Sequence, residues 1–246
     1  MTCPQRAIGT EDISLNQLLL ALRRSRETAE VKAAYDEFLQ LLDRAQVGAQ
    51  ACQAGARMPG FVLPSAEGRL IDSAELLARG PLVVTFFRGG WCPYCSATLD
   101  ALEAVLPDLS RAGGTLIALT PETGGRALIM RRDQALHYEV LVDVDLAVAM
   151  TFGIVFRTPP RYVELLRRRG IDLAERSGNP AWLLPIPATF LVGKDGVVLR
   201  SWLNIDFTQR AEPAEILEAL AHLHARRRLE GEGLARGGHE GAAPSG

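Results

Sequence analysis

A chain of 246 residues, 48% of them hydrophobic and 23% charged, is long enough to bury a real core without disulfide staples. A formal net charge of -2, a pI near 6.1 and interspersed signs give no electrostatic footprint for nucleic acid or an anionic membrane surface. No stretch approaches the roughly 18 uninterrupted apolar residues of a membrane span. The run "LNQLLLAL" stops at Arg23 and Arg24, and the start lacks the order of a secretory signal. A cytoplasmic, reducing compartment is the expectation, so the four cysteines do not read as a structural disulfide framework.

From about Ser14 to Gln53, leucines and alanines recur at helical spacing among charged residues, without proline, and predict two helices with a break near Thr28. Their apolar faces (Leu15, Leu18, Leu19, Leu22; then Val31, Ala34, Tyr35, Phe38, Leu41, Leu42) require cover from the main domain or from a second copy of the chain, which leaves a homodimer open. "GPLVVTFFRG" fits a buried strand, and "SATLDALEAVLPDLSRAG" a helix closed by Gly113 and Gly114. "TLIALTP" reads as a second strand, "ALIMRRDQALHY" as a helix, "EVLVDVD" as a strand or loop end, and "LAVAMTFGI" as a short helix. Residues 157 to 185 form a long insert with a helix over Tyr162 to Arg169, expected to shape access to a site. "ATFLVGKDGVVLRSWL" shows two strands joined by a Lys194-Asp195-Gly196 turn, and "PAEILEALAHLHARRR" is a final amphipathic helix. The order predicts a layered α/β domain with a central mixed β-sheet flanked by helices, over residues 55–225. An N-terminal helical extension (1–54) precedes it, and a Gly-rich tail (226–246), read as disordered, follows.

Within this frame, "FFRGGWCPYC" places Cys92 after a strand and near the first turn of a helix, with Cys95 one turn further on. Unpaired backbone N–H groups and the positive helix end bias a cysteine there toward thiolate. Cys92 is the candidate nucleophile, and Cys95 can attack an adduct on it and expel a disulfide. Pro93 suits an early helical position, and Gly89 and Gly90 let the chain turn out of the strand. Two plainer readings stand beside this one: half of a zinc site, for which only Cys3, Cys52 and four scattered histidines could supply the rest, and two small buried side chains. Pro187, directly before a strand, suggests a special turn, with a cis peptide after Ile186; the plainer reading, which prevails on these residues alone, is that Pro185 and Pro187 stiffen a loop before the strand. His137, Trp182 and Trp202 read most simply as surface, core or rim residues.

Taken together, Trp-Cys-Pro-Tyr-Cys after a strand, "IPATF" far along the chain, the Lys-Asp-Gly hairpin and the opening "GARMPGFVLPSAEGRL" resemble the thioredoxin fold and, within it, the AhpC/TSA peroxiredoxin-like family, from about Gly55 to Leu223. The resemblance implies a peroxidatic Cys92, a resolving Cys95, Pro187 facing them, a hydroperoxide substrate, thioredoxin or a similar dithiol as reductant, and no cofactor or metal. Gly89 and Thr85 stand where that family usually carries threonine (or serine) and proline, and its usual arginine is missing from its place near Pro187. Arg88 or Arg200 then supplies the cation, the Cys92 backbone N–H and Thr189 are further donors for a departing oxygen, and Trp91 flanks the substrate. Cys-Pro-Tyr-Cys is also a glutaredoxin motif, so exchange with protein or glutathione disulfides is the alternative activity. A redox-sensing interaction module is a third.

Overall fold

The computed structural model describes residues 13–223; Cys3 and the expected tail lie outside the described residues. Two N-terminal helices, α1 (Leu15–Ser25) and α2 (Ala29–Arg44), break where the sequence breaks. Ser14 caps α1 in a reciprocal capping box with Gln17, and Thr28 caps α2. A small antiparallel hairpin follows, β1 (Val62–Pro64) with β2 (Leu70–Asp72), and then α3 (Ser73–Arg79). The central sheet has the order β5-β4-β3-β8-β9. Strands β3 (Leu82–Phe86), β4 (Thr115–Thr120) and β5 (Glu139–Val142) are parallel; β8 (Ala188–Val192) runs antiparallel to β3, and β9 (Val198–Leu203) antiparallel to β8. Every residue of β3 and β8 is buried, Thr85 and Thr189 included, as central strands covered on both faces require.

Helices cover both faces. The predicted helix over 96–113 is two, α4 (Pro93–Ala104) and α5 (Leu106–Arg111). Pro107 has no N–H to give and its ring clashes with the carbonyl one turn back, so the chain restarts a helix at Val105. Then come α6 (Arg126–Asp133), α7 (Ala147–Thr151) and, last, α10 over residues 213–223. The insert is more ordered than its sequence suggests. Strands β6 (Val155–Arg157) and β7 (Leu183–Pro185) pair antiparallel and close its ends, and α8 (Pro160–Arg168) and α9 (Leu173–Ser177) lie between them.

Two apolar clusters fill the fold, one on each face of the sheet. Val84, Phe86, Phe152 and Phe190 belong to one; Val83, Phe87, both cysteines of the pair, Leu99 and Ile216 belong to the other. Leu15, Leu19, Ala34, Tyr35, Phe38 and Leu42 are buried against the chain itself, α1 against α4 and α2 against α8, while Leu18 and Leu41 stay exposed. The main domain therefore supplies the cover that the extension requires. Among the described residues no helix is long and apolar enough to cross a membrane. The expected cis bond is not found: the peptide between Ile186 and Pro187 is trans. β7 ends at Pro185 and β8 starts at Ala188, so Ile186 and Pro187 carry the chain from one sheet to the other.

Candidate active site around the Cys92 and Cys95 pair

Strand β3 delivers Phe87 and Arg88 to the sheet's end, and a two-glycine turn redirects the chain into α4. Gly89 sits at φ +143°, and a Cβ there would lie 2.6 Å from Glu122 Cδ and 2.7 Å from Trp91 Nε1. Glu122, just after β4 and almost wholly buried, accepts hydrogen bonds from Gly90 N (2.7 Å) and Arg176 Nη1 (2.9 Å). This carboxylate fastens the turn from outside. Nothing in the sequence pointed to it beyond an acidic residue at a strand end.

Cys92 is the N-cap of α4, Pro93 opens the helix, and Cys95 N donates to Cys92 Sγ at 3.4 Å. The Cys92 N–H, a candidate donor in the sequence, is engaged with Gly89 O at 3.1 Å. Arg88 Nη2 donates to Cys92 Sγ at 3.0 Å. Its guanidinium is boxed by aromatic groups: Cζ lies 4.1 Å from the Phe207 ring centre and 5.4 Å from that of Trp91, and Nη1 points to Tyr162 Oη at 3.4 Å. Cys92, Cys95 and Arg88 are 0%, 1% and 2% exposed. Tyr162 comes from α8 of the insert, so the insert contributes to the wall around Arg88, and Phe207 comes from the segment after β9, which the sequence reading missed.

The electrostatics belong to the pair. Burial pushes both thiols up; the hydrogen bond between the two sulfur groups adds to that at Cys92 and opposes it at Cys95, while Arg88 opposes it at both and the Cys95 backbone N–H opposes it at Cys92. The first proton therefore leaves well below the usual thiol range and the second is held well above it, so one negative charge is shared between two sulfurs. The sequence placed that charge on Cys92 alone; Cys95, equally dry and within reach of the same arginine, shares it. Beside this anion Arg88 is held well above its ordinary value and remains charged, although burial opposes it.

The other candidates are placed as follows. Thr189 Oγ1 is 3.0 Å from Thr85 Oγ1, an in-register pair buried between β3 and β8, on the sheet face that carries Phe87 and the cysteines. Pro187 is buried and abreast of Phe87, since Phe86 pairs with Ala188. Trp91, part-exposed, lines a shallow cleft with Glu122, Met130 and Arg176. Arg200 is not brought to the pair: it lies over the Trp202 ring at 4.8 Å and faces Glu215 of α10 at 3.8 Å, half in solvent. His137 is exposed and bonded to Glu103 at 2.7 Å. Cys52 stands apart, its thiol pushed up by burial. Among the described residues no three His, Cys, Asp or Glu side chains are grouped to hold a metal ion.

Proteins of related sequence and fold are known. The thiol-disulfide oxidoreductase ResA of Bacillus thuringiensis is 24% identical over 161 residues, covering 65% of this chain and 75% of its own. A Mycobacterium tuberculosis protein that carries a peroxiredoxin name is 23% identical over 154 residues, 63% of this chain and 87% of its own. The crystal structure of peroxidoxin BcpB from Mycobacterium tuberculosis superposes with a TM-score of 0.55 at 18% identity, over 70% of this chain and 97% of that one, a likeness of fold. Residues 54–201 match the AhpC/TSA family model. That stretch is more than half of the chain and carries both cysteines, Arg88 and Pro187, so this protein belongs to the AhpC/TSA family.

Proposed function

We propose that the chain is a thiol peroxidase. Cys92, as the thiolate, attacks the O–O bond of a hydroperoxide; an S–O bond forms, the alkoxide or hydroxide takes a proton and leaves, and Cys92 becomes a sulfenic acid. Cys95 then displaces that oxygen as water and closes the disulfide. An external dithiol of the thioredoxin type restores both thiols by exchange. The observation that carries this reading is Arg88 Nη2, 3.0 Å from Cys92 Sγ in a dry box. A fixed cation there stabilises the attacking thiolate and also the charge that develops on the departing oxygen. Thr189, Pro187 and Trp91 shape the space around it, and Arg200 has no part in the chemistry.

Thiol-disulfide exchange is the second reading, favoured by the Cys-Pro-Tyr-Cys spacing and by the likeness to ResA. Burial argues against it as the first step: a hydroperoxide reaches a sulfur with no exposed surface through a far smaller opening than a protein disulfide needs. The test is anaerobic stopped-flow mixing of the reduced chain with one equivalent of hydrogen peroxide. Loss of two thiols within seconds, and a sulfenic acid trapped on Cys92 in Cys95→Ser, is the expected result. Peroxide reacting no faster than with a free thiol, while a model disulfide oxidises the pair quickly, would replace the peroxidase with the exchanger.

A further inference from the structure

The segment 204–212 between β9 and α10 lies beyond the family-matching residues, and so do α1 and α2. These two outlying parts are fastened to each other. Leu15 N and Asn16 N, at the start of α1, donate to Glu212 Oε2 and Oε1 at 2.9 and 2.8 Å. The Asn16 amide accepts from Arg210 N at 2.7 Å and donates to Arg210 O at 3.0 Å. Ala211 is buried in the same apolar cluster as Cys92 and Cys95, and α1 packs on the cysteine helix α4. The Arg210 side chain is thereby held half-buried: Nη1 donates to Gln209 O at 3.1 Å at the surface, whereas Nη2 is buried with no hydrogen-bond partner.

A buried cation with an orphaned donor is costly unless it faces an anion. The anion within its reach is the cysteine pair. The charged and titratable groups acting on Cys95 are Cys92, Arg88 and Arg210; Arg210 draws the Cys95 thiol down, and Cys95 in turn opposes the lowering that burial imposes on Arg210. We infer that Arg210 is the second cation of the pair, holding the charge on Cys95 when it leaves Cys92, and that α1 positions it through Asn16 and Glu212. Once Cys92 is a sulfenic acid, Cys95 must lose its proton; its thiolate attacks the Cys92 sulfur, the S–S bond forms, the S–O bond breaks, and hydroxide takes the proton and leaves as water. In reduction an external thiolate attacks Cys92, the S–S bond breaks, and the electron pair goes to Cys95, which departs as a thiolate beside Arg210. Arg88 acts on both sulfurs, and Arg210 adds to it at Cys95.

The inference rests on reading the two cysteines as a redox pair, but its first test needs no substrate and so stands or fails separately from the peroxidase. In the full chain carrying Cys3→Ser, Cys52→Ser and Cys92→Ser, thiolate absorbance at 240 nm against pH reports Cys95 alone. Arg210→Gln is expected to move that titration upward by about one pH unit or more, the effect of removing an opposite charge that acts on a buried thiol. Arg210→Lys restores most of the shift, and Asn16→Ala moves it in the same direction by less. With Cys92 present and one equivalent of peroxide, Arg210→Gln lengthens the life of the sulfenic acid about tenfold at pH 7, one unit of thiolate deficit, read as dimedone capture. A well-folded Arg210→Gln chain whose Cys95 titrates unchanged overturns the inference. If that variant does not fold, unchanged titrations in both Asn16→Ala and Glu212→Gln, which loosen the hold on Arg210, overturn it equally.

Discussion

Replacing Arg88 by methionine is the sharpest perturbation of the reacting sulfur. Methionine keeps most of the side-chain volume among Phe207, Trp91 and Tyr162 and removes the charge whose Nη2 lies 3.0 Å from Cys92 Sγ. An opposite charge within about 4 to 6 Å depresses a pKa by roughly 1 to 3 units, or about 1.4 to 4 kcal/mol. Burial, the largest influence on either thiol, then acts with little opposition. The first proton loss of the pair is expected to rise by that amount, and the thiolate fraction at pH 7 falls about tenfold for each unit once the titration passes neutrality. Loss of the donor to the departing oxygen adds to this, about 100-fold or more for a preorganised donor of this kind. The assay pairs thiolate absorbance against pH with stopped-flow oxidation by hydrogen peroxide, and circular dichroism checks the fold. An Arg88→Met chain that ionises and reacts like the unaltered protein would show that the helix start alone holds the charge, and the electrostatic account would fall.

Three further outcomes follow from the same geometry. Gly89→Thr, which restores the residue type the family usually carries there, is expected to damage the protein, because the first added carbon meets Glu122 and Trp91 at φ +143°; thermal unfolding and peroxide rate both fall, and an unharmed variant would refute the crowding. Glu122→Ala leaves Gly90 N and Arg176 without their acceptor and is expected to cost about 1 to 3 kcal/mol, several degrees in melting temperature, with slower oxidation as the turn loosens. Asp206 is raised by burial, but hydrogen bonds from Thr208 and Tyr35 and the nearby Arg23 outweigh that and hold it below its ordinary value. Its contribution is therefore full above the unfolded carboxylate value near 3.9 and is lost as pH falls through the folded one, so docking of α1 and α2 weakens in acid; Asp206→Asn, melted at pH 3.5 and pH 7, should lose stability at pH 7 and show a shallower acid slope.

What was legible in the sequence was local. "VVTFF" and "TLIALT" form strands because nothing in them can do otherwise, and Cys92 lands at a helix start because glycines precede it and Pro93 follows. The partners that make the cysteine environment were not legible, because they arrive from far along the chain: Tyr162 is 74 residues from Arg88 in sequence, and Asn16 meets Arg210 across 194. Aromatic and arginine side chains carry no periodic signal of which neighbour they will meet. Pro187 shows the opposite error, an isolated proline given more meaning than its surroundings require.

The boxed arginine also bears on when the site can be opened. In the reduced protein Arg88 faces one negative charge shared by two sulfurs; a disulfide removes that charge and leaves the Arg88 cation alone in a dry aromatic enclosure. An uncompensated buried charge is costly, so the closed enclosure is tied to the reduced state and loosens as the pair oxidises. Water relieves the imbalance in part. A thiolate relieves it fully, because the species that attacks Cys92 brings back the missing charge. On this account oxidation is expected to make the site more receptive to an anionic sulfur than the reduced, charge-balanced enclosure is.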